Sequence, residues 1–200
     1  MTVAGGRGHV LRGGLVVLVS CALYVACGRS DASPAAPPTT APPSGATAPS
    51  TRPSEDFVAR ATDFRTLDSM TRVRGFFVDN RLGHLAQAVR IARANRGGVY
   101  PVGTIIQLVP QEAMVKRRSG WDASTHDWEF FFLDVSKTGT KILTRGSDQV
   151  VNRFGGNCAS CHAAAEPRFD EVCEHDHGCE PLPIGDDVIA SIQRADPRPG

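Results

Sequence analysis

Five residues near the end of the chain constrain it more than any other segment: Cys158-Ala159-Ser160-Cys161-His162. Two thiols three residues apart can form thioethers with the two vinyl groups on one edge of a porphyrin, and the adjacent imidazole then lies under the iron. The spacing therefore predicts one covalent haem c near the carboxyl end, attached through Cys158 and Cys161, with His162 as the iron ligand.

Three other chemistries also use such a cysteine pair. A thioredoxin-like redox pair needs a βαβ setting, which the sequence pattern does not indicate. Zinc could draw its ligands from four cysteines and three histidines, which are Cys158, Cys161, Cys173, Cys179, His162, His175 and His177. A disulfide between Cys158 and Cys161 would close a small ring and leave His162 unexplained. We favour haem and keep zinc and the disulfide as alternatives.

The first 26 residues predict an export signal of the lipoprotein type. Two arginines form a basic start, and the apolar run from Leu15 to Ala26 has 12 residues, too few to span a bilayer comfortably. The run ends at Cys27 in a pattern that resembles a bacterial lipobox, so we expect Cys27 to be lipidated. Cys21 is a second candidate, and an ordinary signal peptide is a third reading. We expect a protein of the bacterial cell envelope, lipid-anchored to a membrane on the periplasmic side.

Residues 27–54 predict a disordered linker. They contain seven prolines among Ala, Ser and Thr, with almost no large apolar side chain. Such a composition cannot bury enough surface to offset the entropy of ordering it, and proline-rich chains are stiff. We interpret the segment as a spacer between the membrane and residues 55–200, although a tail without a role fits the composition equally well.

Charge excludes one class of partner. The formal net charge is +1 and no basic cluster occurs anywhere in the chain. A nucleic-acid-binding protein needs a basic surface to neutralise phosphates, so nucleic acid is not expected as a partner.

Residues 55–200 predict one haem-binding cytochrome domain of the α+β class, mainly antiparallel β-sheet with a few helices. Segments of β-branched and aromatic residues, joined by short turns, indicate strands at 102–109, 113–117, 128–135 and 141–144. Apolar residues at three- and four-residue spacing predict that 76–94 is mostly helix. A last helix is predicted over 186–194, with Asp186 as its N-cap.

Three motifs occur in order between about Tyr100 and Asp170. They are Tyr100-Pro101-Val102-Gly103-Thr104, then Asp127-Trp128-Glu129-Phe130-Phe131, then the cysteine motif followed by Asp170. Their order resembles the β-sheet family of cytochrome P-460 and cytochrome c′-beta, which has an aromatic-Pro-x-Gly-Thr strand entry and a late haem site. The resemblance implies a β-sheet monohaem cytochrome that can form a homodimer. Residues 172–183 do not match it, which indicates a separate branch.

One position departs from that family. In its hydroxylamine-oxidising members, a Lys five residues beyond the Gly of the strand entry bonds to the porphyrin edge, and Leu108 stands there in this chain. Leucine has no amine, so the resemblance implies a divergent branch without the haem-cross-linking Lys. Lys116 lies on or beside the next strand, and we expect it to be exposed next to Arg117 and Arg118.

The aromatic strand at 128–135 offers a wall for a haem pocket. Alternation places Trp128, Phe130 and Phe132 on one face and Phe131, Leu133 and Val135 on the other. Core packing alone explains this pattern. Family members without the cross-link cover the distal haem face with Phe, so by analogy Phe130 or Phe132 is a candidate haem contact.

The remaining cysteines, Cys173 and Cys179, predict a disulfide that closes a small loop in an oxidising compartment. A second metal site, or an iron contact from His175 or His177, is the alternative.

Together these features predict an exported monohaem cytochrome that binds a small gas, such as nitric oxide or carbon monoxide, at an open distal haem site. No Met follows the haem motif, since the methionines are Met1, Met70 and Met114. Alternatives are a periplasmic electron-transfer cytochrome with a redox partner protein, an oxidase of hydroxylamine or peroxide, and a zinc-binding structural lipoprotein. A haem-binding or electron-transfer role is favoured over an enzymatic one.

Overall fold

A computed structural model describes residues 55–200 of the chain. The export signal predicted for residues 1–26, the linker predicted for 27–54, and the two candidate lipidation sites Cys21 and Cys27 lie outside the described residues. No helix within the described part is long and apolar enough to cross a membrane.

Six strands form one antiparallel sheet in which each strand pairs with the next along the chain. The strands are β1 (Thr71–Val73), β2 (Phe76–Asn80), β3 (Thr104–Gln107), β4 (Glu112–Lys116), β5 (Trp128–Ser136) and β6 (Gly139–Gly146). The connections from β1 to β2, from β3 to β4 and from β5 to β6 are short, and only antiparallel neighbours can be joined by tight turns. The longer β2–β3 connection contains a helix. The predicted α+β class with a mainly antiparallel sheet is confirmed.

Within residues 55–200, three α-helices accompany the sheet: α1 (Leu85–Arg93), α2 (Cys158–His162) and α3 (Asp186–Arg194). The predicted bounds of the last helix are confirmed, but its predicted cap is wrong. Gly185 is the N-cap of α3, and Asp186 lies in the first turn beside Asp187. Two carboxylates there face the positive end of the helix dipole, which stabilises the helix without a side-chain cap.

The helix predicted over 76–94 is wrong in its first part, because Phe76–Asn80 is a strand. All five residues of β2 are buried, so both faces of the strand are covered and the sequence shows no alternation of apolar and polar residues. The strand ends at Asn80, whose side-chain oxygen accepts hydrogen bonds from the N–H groups of Leu82 and His84, each at 2.9 Å. These bonds turn the chain into α1.

The sheet separates two apolar clusters, one on each face. The first contains Trp128 and Phe130 with α1 and residues of β2, and the second contains Phe131 and Leu133. The alternation predicted for the aromatic strand is therefore confirmed. Cys158 of α2 packs against the first cluster, so this face of the sheet is the one beside the cysteine motif.

Candidate haem site

The cysteine motif forms the short helix α2, and the residue before it fixes where the helix begins. The side-chain oxygen of Asn157 accepts a hydrogen bond from Ser160 N–H at 2.9 Å, which is an N-cap. Cys158 N–H donates to the Val150 carbonyl at 3.0 Å. Both predicted attachment residues, Cys158 and Cys161, are half-buried free thiols, so the structure does not contain the alternative disulfide between them.

His162, at the end of the same helix, is held in one tautomer. Its Nδ1 lies 2.6 Å from the backbone carbonyl oxygen of Glu171. A carbonyl can only accept, so Nδ1 carries the proton and the lone pair is on Nε2. Burial lowers the pKa of His162, and the hydrogen bond to Glu171 opposes that shift. A neutral imidazole whose other nitrogen donates to a carbonyl is the usual state of a metal-ligating histidine.

The carbonyl that holds His162 belongs to a turn of unusual backbone conformation. Asp170 and Glu171 both have positive φ, at 52° and 61°, a region that costs a residue with a side chain. Three groups hold Asp170 in place. Trp128 Nε1 donates to its carbonyl at 2.7 Å, Tyr100 N–H donates to its carboxylate at 2.8 Å, and Lys116 Nζ lies 2.7 and 2.8 Å from its two carboxylate oxygens.

Lys116 is buried, with 4% of its surface exposed, so the prediction of an exposed Lys beside Arg117 and Arg118 is wrong. Its ammonium group forms the salt bridge with Asp170 and lies 5.0 Å above the Trp128 ring. A buried ammonium needs such a partner because an unpaired buried charge is costly. Burial raises the pKa of Asp170, and the Lys116 charge opposes the increase.

The aromatic residues predicted as pocket wall differ in their surroundings. Phe130 is almost fully buried, and its ring centroid lies 5.1 Å from that of His162 at an interplanar angle of 47°. Phe132 is half-buried and packs against the first cluster, as does Cys158. Phe130 therefore contacts His162, the predicted iron ligand, whereas the Phe132 side chain is partly exposed to solvent.

The cluster against which Cys158 packs also carries partly buried apolar side chains. Like Cys158, several side chains pack against the first cluster and are only partly buried; they are Leu85, Val89, Ile91, Leu108, Phe132 and Ala159. A haem attached by one edge needs such a surface, two thiols and one imidazole. Leu108 contributes only carbon to this surface, in keeping with the absence of an amine for a cross-link at that position.

Sequence reasoning missed Glu112, an acidic residue in β4 that lies opposite Phe132 in the sheet register. Burial raises the pKa of its carboxyl, and the Arg153 N–H, at 3.4 Å, opposes the increase. Burial also raises the pKa of the Cys158 thiol to about 11, and the negative charge of Glu112 adds to the shift. Glu112 is two residues from Met114 in β4, so both side chains lie on the same face of the sheet as Phe130 and Phe132. This spacing was the signal in the sequence that could have placed the carboxyl there.

The residues considered for zinc are not brought together. Within residues 55–200, no group of three or more His, Cys, Asp or Glu side chains is placed to hold a metal ion. Cys173 and Cys179 are bonded to each other as a disulfide. His177 stacks on Phe169 with ring centroids 3.5 Å apart, and its Nδ1 lies 2.6 Å from the Val172 carbonyl, whereas His175 is largely exposed.

The resemblance to cytochrome P-460 rests on the three sequence motifs alone. Comparison with protein-family models, with curated proteins and with solved structures finds no match to this chain.

Proposed function

We propose that the protein is an exported c-type cytochrome with a single haem c, bonded to Cys158 and Cys161 and held at the iron by Nε2 of His162. The observation that carries this proposal is the commitment of His162 Nδ1 to the Glu171 carbonyl, directly beside two free thiols. That arrangement leaves Nε2 as the imidazole nitrogen with a lone pair free to bind iron, and it fixes the direction of that lone pair. When bound, the haem supplies an iron that can bind a small gas or exchange an electron.

Gas binding is the role that the apolar surroundings support best. The partly buried side chains on the first cluster, among them Leu108 and Phe132, present mainly carbon, and the Glu112 carboxyl is the charged group that acts on Cys158. A small neutral molecule such as nitric oxide or carbon monoxide loses little solvation when it enters an apolar site, whereas an ion or a strongly polar substrate loses much. The same argument makes oxidation of hydroxylamine a weaker proposal.

The first test of this function is an absorption spectrum of the full chain, coexpressed with a haem-maturation system. The denatured protein should keep its Soret band, and Cys158→Ala with Cys161→Ala should lose it. The matched control is Cys173→Ala with Cys179→Ala, which removes two other cysteines and should keep the band. Stoichiometric zinc without haem would contradict the proposal.

The second test addresses the gas. Ferrous protein should bind carbon monoxide, and Phe132→Ala should change the association rate because it opens space on the cluster against which Cys158 also packs. Phe154→Ala is the control, since Phe154 is exposed and the change should leave the rate as it is. A low-spin spectrum in both oxidation states that carbon monoxide does not alter would contradict gas binding.

Electron transfer is a second candidate function, with Met114 as the candidate second ligand because it lies in the cluster against which Cys158 packs. Met114 is buried in the first cluster and lies opposite Phe130 in the register of β4 and β5. A thioether opposite His is the ligand pair of many electron-carrier cytochromes c. In that case Met114→Leu, which conserves volume, should turn a low-spin spectrum high-spin and allow carbon monoxide to bind.

The location in the cell follows from the amino-terminal sequence. We propose that lipid on Cys27 anchors the protein on the periplasmic side of a bacterial membrane and that residues 27–54 separate the domain from that membrane. A homodimer remains a prediction of the family resemblance.

A further inference from the structure

We propose that the buried Lys116–Asp170 pair positions the iron ligand: it locks the turn at 170–171 and thereby sets the hydrogen bond from His162 Nδ1 to the Glu171 carbonyl. The inference rests on the proposed haem function and deepens it, because it identifies residues that tune the proximal imidazole without touching it. Lys116 and Asp170 are positioning residues in this sense.

The turn needs to be held because its backbone is unfavourable. Asp170 and Glu171 are consecutive residues with positive φ, and neither is glycine. Such conformations persist only where the surroundings determine them. The Glu171 carbonyl points at His162 only while this turn is kept, so any contact that fixes Asp170 also fixes the acceptor of the His162 hydrogen bond.

Lys116 supplies the central contact. Its side chain is 5% exposed and that of Asp170 is 4% exposed, so the pair is shielded from water. Besides the two carboxylate oxygens, Nζ donates to the His126 carbonyl at 2.6 Å, which uses all three ammonium hydrogens. His126 and Asp127 form a second pair with positive φ, at 47° and 66°. One ammonium group therefore joins two strained segments of the chain.

The hydrogen bond affects the iron through the imidazole. A proton shared from Nδ1 with a carbonyl makes the imidazole more basic, which strengthens its bond to iron and stabilises the ferric state. Loss of Lys116 would leave Asp170 as a buried unpaired charge. The turn would then relax, the Glu171 carbonyl would move away from Nδ1, and the imidazole would become a weaker ligand.

The test uses full-length haem-loaded protein with the double change Lys116→Met and Asp170→Asn. This variant removes one positive and one negative charge, so a change in midpoint potential cannot come from a change in net charge. Lys141→Met is the control, because Lys141 is an exposed residue of β6. The readouts are the iron–histidine stretching frequency of the ferrous protein by resonance Raman spectroscopy and the midpoint potential.

The double variant should show a lower iron–histidine frequency and a higher midpoint potential, and Lys141→Met should show neither change. If the double variant yields no folded protein, the single variant Asp170→Asn replaces it, because Asn keeps an acceptor for the Tyr100 N–H. Its readout is the iron–histidine stretching frequency. A folded haem-loaded variant with the wild-type frequency and potential would overturn the inference and leave the proposed function standing. Wild-type protein without haem would instead refute the proposed function.

Discussion

Replacing Trp128 by Phe should cost more than the lost ring atoms alone, because the indole also holds the turn beside His162. Trp128 is fully buried in β5, and its Nε1 donates to the Asp170 carbonyl at 2.7 Å. Phe lacks two of the buried ring carbons, worth roughly 0.8 kcal/mol each. The carbonyl left without its donor adds about 1–3 kcal/mol. We expect the free energy of unfolding to fall by about 3 kcal/mol.

Urea unfolding followed by far-ultraviolet circular dichroism measures this loss without relying on the fluorescence that the substitution removes. Trp121→Phe is the matched control. Trp121 is half-buried and lies 4.9 Å from the Arg117 guanidinium, so its replacement should cost less than about 1 kcal/mol. A loss below about 1 kcal/mol for Trp128→Phe would refute the claim that this indole holds the turn at Asp170.

Three further predictions concern acid stability, thiol reactivity and anchoring. Hydrogen bonds from Arg117 lower the pKa of Asp56 from 3.8 to about 2, so Asp56 stabilises the fold above about pH 4 and this stability is lost as the pH falls through 2. Asp56→Asn should therefore cost about 1 kcal/mol or less in urea unfolding at pH 7 and less than that at pH 2, and a cost independent of pH would contradict this assignment. In haem-free Cys161→Ser protein, burial should keep the pKa of Cys158 above the ordinary 9.0 and make alkylation by iodoacetamide at pH 8 about 10-fold slower than for an exposed thiol, and equal rates would contradict the burial of Cys158. Metabolic fatty-acid labelling should mark the wild type but not Cys27→Ala, and label that persists there but disappears in Cys21→Ala would transfer the anchor to Cys21.

The strand with alternating faces was predictable from the sequence, and the strand that is buried on both faces was not. The aromatic strand has a different environment on each face, so its two sets of side chains alternate and the two clusters follow. Phe76–Asn80 is covered on both faces, so its apolar and polar residues do not alternate. The segment was therefore assigned to the helix that the spacing of the following residues predicts. A short buried strand and a buried helix segment cannot be distinguished by periodicity alone.

The thiols and the imidazole of the candidate site were predictable from the sequence. The residues that hold the imidazole in place were not. The spacing of Cys158, Cys161 and His162 is a local property of the chain and survives folding as one short helix. Lys116 and Asp170 are 54 residues apart, so neither residue type nor neighbours could indicate that they pair. The acceptor for His162 is a backbone carbonyl, which carries no sequence signature because every residue has one.

The central claim, that haem is bonded to the cysteine motif, is tested most directly by the mass of one peptide. Tryptic digestion of protein made with a haem-maturation system should release residues 154–168, which contain Cys158, Cys161 and His162. The account predicts that this peptide carries the mass of one haem after denaturation and reduction, and that it loses the added mass in Cys158→Ala with Cys161→Ala. An unmodified peptide with two free thiols would contradict the account.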